Sequence, residues 1–377
     1  MSTKASYTSS ARILVVTNLL SSTTFDRAVV GRLGGHSIYW YSLPCHPLAT
    51  VDGYDGPPAF RSRLLQHLVS PLYLQRALFR FKPDLIHVHW ALQRLLTPQL
   101  THFHPLIVTE MAGEILPEQV YRGVNRIFVN QLLAAADIIT SQSNFIDEAL
   151  RQIGFYGSKV RRITWGIDLD RFRPGLEVSQ LRRQWNLQND DFIFFSVRNC
   201  RPLYNIHLIV QAFAECLSRT NHKIKLLISE VRANPAYHQQ IKTMVQQLKL
   251  HEHVRFVGAI PHQDMPFYFN LANVTISLPY SDGTPHSLYE SMACGSFHIL
   301  GDLPSYYELI QHEHNGCLVP LNNPTALADA MIWCLNHPNH LAKAAQLGRE
   351  QVLQIADKNI EIQRMNDIYA ELLNQFR

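Results

Sequence analysis

The chain has 377 residues, more than one hydrophobic core usually organises, so two domains are expected. With 46% hydrophobic and 17% charged residues it is composed to bury real cores, which excludes disorder as its main state. A formal net charge of +4 without runs of lysine and arginine excludes a dedicated nucleic-acid binder.

The charge is unevenly spread. Residues 1–174 carry 18 lysines and arginines against 12 acids, and residues 175–377 carry 16 against 18. A basic first half suits an acidic ligand or an anionic membrane surface. The N-terminus, Met1-Ser2-Thr3-Lys4-Ala5-Ser6, lacks the apolar stretch of a signal peptide. Apolar runs stay short of the roughly 18 residues that a spanning helix needs, so a cytoplasmic location is expected. The cysteines Cys45, Cys200, Cys216, Cys294, Cys317 and Cys334 form no C-x-x-C pair. They read as reduced, mostly core thiols.

Along the chain, short β-rich runs at residues 13–16, 37–41, 85–88, 106–108, 138–139 and 160–163 alternate with helical patterns. That alternation predicts βαβ units and a parallel sheet. The loop after the first run, residues 17–23, has no glycine pair, and Gly31, Gly34 and Gly35 follow a helix instead of opening one. They read as a helix-to-strand turn, and without a strand running into G-x-G-x-x-G a nicotinamide oxidoreductase is excluded. Residues 60–82 hold Arg61, Arg63, Arg76, Arg80 and Lys82 and no acid, and Pro71 is expected to divide them into two helical pieces. This is either a pair of core-facing helices with a solvated basic face or a contact with anionic lipid. His87 and His89 alternate on one strand and share a face, as a metal pair or as hydrogen-bonding core histidines.

Residues 164–174, with Gly166 and Pro174, read as a hinge. A second series of strands follows at residues 192–195, 224–228, 254–257, 274–278, 297–300 and 317–319. From about Ala326 the pattern is helical, ending in an amphipathic stretch at residues 360–376 that carries Ile362, Met365, Ile368, Tyr369, Leu372 and Leu373. The most informative block spans residues 273–295. A strand gives way to a loop with Gly283, and Pro285 opens a helix that Gly295 closes. A helix N-terminus presents unpaired amides and partial positive charge to a phosphate.

Asp282, seven residues, Glu290 and then Ser291-Met292-Ala293-Cys294-Gly295 resemble the signature of the retaining family 4 glycosyltransferases, with Asp where that family usually has Glu. Three further blocks extend the resemblance. Residues 160–174 are similar to the interdomain segment, with Trp165 for the usual Asn, and residues 253–261 to the strand and turn before a nucleoside pocket. Residues 308–310 and 315–319 are similar to the last strand region. Arg198 matches a phosphate-binding arginine, Tyr204 falls where the family has a lysine, and Arg201 is either the second phosphate cation or a solvated loop residue. In residues 109–114, Met111 replaces a histidine and Glu114 matches the acid.

The resemblance implies an α/β architecture of the GT-B kind, two Rossmann-like doubly wound domains facing across a cleft. Residues 1–174 would form the acceptor side and residues 175–356 the donor side, with a helix at 357–377 crossing back to the first domain. It implies retaining transfer of a sugar from a nucleotide diphosphate sugar to a glycan or lipid-linked acceptor, in polysaccharide or glycoconjugate biosynthesis, with neither cofactor nor metal. Arg198 and Arg201 would hold the diphosphate, and the backbone of Gly283, Thr284, Pro285, His286 and Ser287 would cap it. Glu290 would take the ribose hydroxyls, Asp282 the donor sugar, and Glu114 would touch substrate. A nucleotide-sugar epimerase of the same fold and a non-catalytic nucleotide-sugar-binding protein are the alternatives.

Overall fold

The computed structural model describes residues 10–17, 30–42 and 51–376, apart from the side chain of Arg63. The loop residues 18–23 and Cys45 lie outside that set. The chain forms two compact units: residues up to Gly166 together with Lys358–Arg377, and Ile167–Asp357.

The first unit is built on β1 (Arg12–Thr17), β2 (Ser37–Ser42), β3 (Gly53–Asp55), β4 (Leu85–His89), β5 (Leu106–Thr109), β6 (Ile138–Ser141) and β7 (Val160–Arg162). All pairs are parallel, in the order β3-β2-β1-β4-β5-β6-β7, so the sheet is doubly wound about β1 and β4. Alternation along β1 divides the core. Leu14 and Val16 pack with Leu74, Ala77 and Phe81 of one layer, whereas Ile13 and Val15 pack with Ile362, Met365, Ile368, Tyr369 and Leu372 of the final helix, Lys358–Gln375. β3 escapes the hydrophobic pattern, because Asp52-Gly53-Tyr54-Asp55-Gly56 reads as a turn and only pairing with β2 makes it an edge strand.

Pro71 does not divide its segment; Arg63–Phe81 is one helix. Proline cannot donate to the carbonyl four residues back, which is that of His67. The Ser70 hydroxyl donates to this carbonyl at 2.7 Å, and Gln99 and Tyr41 in turn donate to the carbonyls of Pro71 and Ser70 at 3.1 and 2.7 Å.

The second unit contains β8 (Phe192–Ser196), β9 (Ile224–Ile228), β10 (Val254–Phe256), β11 (Val274–Ser277), β12 (Phe297–Gly301) and β13 (Cys317–Val319). Their order, β10-β9-β8-β11-β12-β13, with every pair parallel, is again doubly wound, here about β8 and β11. Phe194 and Ile276 face the helices Ile206–Ser218 and Pro324–Asn336, whereas Ile193 and Phe195 face the helices Met265–Leu271 and His286–Ala293. The division between units falls at Gly166–Ile167, earlier than residue 174. Ile167 and Phe172 are already buried in the second unit's core, and the Ile167 amide donates to the Ala356 carbonyl at 2.8 Å.

Candidate functional site

Open α/β sheets bind ligands beyond the carboxyl ends of the strands where the winding reverses, which in the second unit means β8 and β11. Two oppositely charged side chains meet there. The Arg198 guanidinium follows β8 and lies 2.9 Å from the carboxylate of Asp282, which follows β11; their side chains are 12% and 17% exposed. From beyond β12, the fully buried Tyr306 hydroxyl donates to the same Asp282 oxygen at 3.1 Å. Tyr204 lies under the guanidinium, its ring centre 4.6 Å from Arg198 Cζ. Left-handed Asn205 fastens the frame: its side-chain amide donates to the Leu278 carbonyl at 3.0 Å, while Tyr280 N donates to the Leu203 carbonyl at 3.1 Å.

Burial pushes the Asp282 carboxyl above its ordinary range, and the Arg198 charge and the Tyr306 and Gly283 hydrogen bonds oppose that rise. Burial works against the Arg198 charge too, but Asp282 and the neighbouring tyrosines leave the guanidinium held more firmly protonated than a free one. Tyr306 is raised well above the usual phenol range, first by burial and then by Asp282, so it stays a neutral donor. The cluster is a buried cation closed off by its own counterion.

Beside it begins the helix His286–Ala293, with extended Pro285 as its N-cap and Gly295 past its end at a φ of +77° that suits glycine. The Thr284 hydroxyl is buried with no hydrogen-bond partner among the described residues, the kind of orphan that a ligand oxygen satisfies. Ser287 and His286 occupy the first turn, and Gly283 is buried in the loop before it. One turn further on, Glu290 is 5% exposed and accepts from His262 Nε2 at 2.6 Å. His262 comes from the segment after β10 and packs its ring 5.5 Å from that of buried Phe172.

Among the residues expected from sequence, Arg198 and Asp282 are therefore in contact, and Glu290 lies on the helix whose first turn holds His286 and Ser287. Arg201 departs from this cluster. Pro202 starts a short turn, Arg201 is extended at its cap, and its exposed side chain donates through Nε to the Arg232 carbonyl at 2.7 Å, so it does not share the Arg198 position. Glu114 is fully buried in the first unit and accepts from the amides of Ala91 and Met111 at 3.1 and 2.9 Å, bracing the loops after β4 and β5.

Other participants escaped the sequence reading. Tyr204 had registered only as a missing lysine, but stacked on a guanidinium it holds Arg198 in place. Nothing in the spacing of the sequence links Tyr306 to Asp282 or His262 to Glu290. In the first unit, His87 is a core residue. Its ring nitrogens lie 2.7 Å from the Tyr369 hydroxyl and 2.6 Å from the Thr109 hydroxyl, and burial lowers its pKa to about 3. The His89 ring stacks on it at 4.3 Å, and Trp165 lies against both rings.

Two family models match the chain: "Glycosyl transferases group 1" over residues 177–351 and "Glycosyltransferase Family 4" over residues 35–171. The chain is similar to D-inositol 3-phosphate glycosyltransferase 2 of Catenulispora acidiphila, 24% identical over 274 residues, which cover 69% of this chain and 64% of that protein. It is also similar to N-acetyl-alpha-D-glucosaminyl L-malate synthase of Bacillus anthracis, 22% identical over 77% of this chain and 75% of that one. The chain thus spans about two thirds of the length of the first curated relatives it matches, 64% and 65%. Among solved structures it shares the fold of Anabaena Alr3699/HepE in complex with UDP and glucose, with a TM-score of 0.81, 17% identity, and coverage of 96% of this chain and 100% of that one.

Proposed function

The chain belongs to the family 4 glycosyltransferases of the GT-B fold, and from that premise we propose that it moves a sugar from a nucleotide diphosphate sugar to a glycan or lipid-linked acceptor with retention of anomeric configuration. The observation that carries this reading is the closed Arg198–Asp282–Tyr306 cluster beside the N-terminus of the helix that bears Glu290. A diphosphate arriving at that end meets unpaired amides and the positive end of the helix dipole, and it competes with Asp282 for Arg198. Asp282, released from the guanidinium, is then free to accept a hydroxyl of the donor sugar. Glu290, about 6 Å further along the helix axis at 1.5 Å per residue, stands where a ribose would follow the phosphates.

As the bond from the anomeric carbon to the diphosphate breaks, negative charge grows on the leaving oxygens. Arg198 and the helix N-terminus stabilise it most at that moment. The acceptor oxygen bonds to the same carbon, and its proton passes to the departing diphosphate, which balances the step without a cofactor. Incubation with a panel of nucleotide sugars, with products separated by chromatography, tests the reading. Slow release of free nucleotide and sugar supports a transferase. An isomerised nucleotide sugar identifies an epimerase, and unaltered sugar with measurable binding identifies a binding protein.

The acceptor side of the proposal includes an anionic membrane surface. On the helix Arg63–Phe81 the side chains of Leu64, Leu68, Leu72 and Phe79 are 70%, 56%, 72% and 79% exposed, and Arg80 and Lys82 are exposed beside them. Arg76 is paired with Asp55, so its charge is already engaged. Among the described residues no helix is long and apolar enough to cross a membrane, so such a contact would be peripheral. Flotation with anionic vesicles, reduced in an Arg80→Glu/Lys82→Glu variant and lacking with neutral vesicles, supports it; equal non-binding to both contradicts it.

A further inference from the structure

Glu290 does not face its ligand site as a loose side chain. Its side chain is 6% exposed, and one carboxylate oxygen is engaged by His262 Nε2 at 2.6 Å. His262 is itself braced: it opens the short turn His262–Asp264 after Pro261, and its ring packs against that of Phe172, which is 2% exposed and lies 6.3 Å from the ring of Phe269. The support runs from a packed aromatic group through an imidazole to a carboxylate, and the three side chains come from separate segments of one unit.

From this geometry we infer that His262 is a positioning residue that fixes the plane of the Glu290 carboxylate, and that the pair makes the nucleotide site selective for ribose over deoxyribose. The inference rests on the reading of Glu290 as the ribose-binding acid. A vicinal diol offers two hydroxyl donors close together, and a carboxylate meets both only when its two oxygens are held in their common plane. Each carboxylate oxygen has room for two donors, so the oxygen held by the imidazole still accepts one hydroxyl while its partner takes the other. A carboxylate held in this way cannot turn towards a substitute donor when one hydroxyl is missing. The oxygen left facing the gap stays buried and unpaired, which is how a site built for a hydroxyl rejects the analogue that lacks it. Without the imidazole the side chain is free to rotate, and the penalty for the missing hydroxyl shrinks.

The test is calorimetry on the full chain with UDP, GDP and ADP, followed by the 2′-deoxy form of whichever binds tightest. Two variants are compared with wild type. His262→Leu keeps the packing on Phe172 and removes the donor, and His262→Gln keeps a donor near Nε2; thermal unfolding verifies that each is folded. Wild type is expected to prefer the ribonucleotide by about tenfold or more. The ratio should collapse towards one in His262→Leu and be largely restored in His262→Gln, a pattern that general loss of structure does not produce. A folded His262→Leu variant with the wild-type ratio overturns the inference while leaving the nucleotide reading intact. Wild type that binds a nucleoside diphosphate without preference for ribose overturns the inference as well, whereas wild type that binds none overturns the reading of Glu290 itself.

Discussion

Replacing Asp282 with asparagine keeps the size of the side chain and an oxygen for the Tyr306 hydroxyl, and removes only the charge facing Arg198. At the observed 2.9 Å, two unit charges attract by about 6 kcal/mol at an effective dielectric of about 20. Desolvation of a pair this deeply buried cancels most of that gain. If about a quarter survives, roughly 1.5 kcal/mol of the resting state opposes any anion that enlists Arg198, which corresponds to about tenfold in affinity. Asp282→Asn should therefore bind a nucleoside diphosphate about tenfold more tightly than wild type. Turnover of the intact donor should move in the opposite direction, falling by about 100-fold because the donor sugar loses its carboxylate contact. Calorimetry with the nucleoside diphosphate and initial rates with the nucleotide sugar read the two effects separately. A folded variant that binds the diphosphate no better than wild type would refute the idea that Asp282 holds Arg198 shut.

Further outcomes follow from individual contacts. Glu290→Ala removes charge-assisted bonds of about 1.5–3 kcal/mol, so nucleotide affinity should fall about 10- to 150-fold by calorimetry. Buried His87 and His298 are both lowered to about 3, mainly by desolvation, whereas the unfolded chain takes up their protons from about pH 6.5 downward. Stability should accordingly decline as pH falls from about 6.5 towards 3. At about pH 5 the loss is on the order of 2 kcal/mol per histidine, and His298→Asn should remove one share in urea unfolding at the two pH values. Ser70→Ala strips the His67 carbonyl of its donor beside Pro71 and should cost about 1 kcal/mol by the same unfolding assay.

Both sheets were legible in the sequence because parallel strands buried on two faces write themselves as continuous apolar runs, and the helix after Pro285 was legible because Pro and Gly punctuate its ends. What stayed hidden depends on contacts across long stretches of chain. At Pro71 the helix continues because Ser70 satisfies the His67 carbonyl locally while Tyr41 and Gln99, 29 and 28 residues away, donate to the Ser70 and Pro71 carbonyls. At the candidate site, Arg198, Asp282 and Glu290 were marked by local motifs, but their partners were not. Tyr306 and His262 reach them from other strand ends, 24 and 28 residues away, distances that no motif encodes. The surroundings of Arg201 and Glu114 were equally hidden: a charge count does not say which way Pro202 turns the chain, and no motif shows that the Ala91 and Met111 amides claim Glu114.

Proton NMR of a reaction with the best-bound nucleotide sugar, run in excess chelator, shows whether this chain transfers sugar with retention through charge stabilisation by its own residues. The first sugar to appear, free or on an acceptor, should carry the anomeric configuration of the donor, at a rate unchanged by the chelator. A first product of inverted configuration, an isomerised nucleotide sugar, or a reaction that stops in chelator and resumes with magnesium or manganese would contradict it.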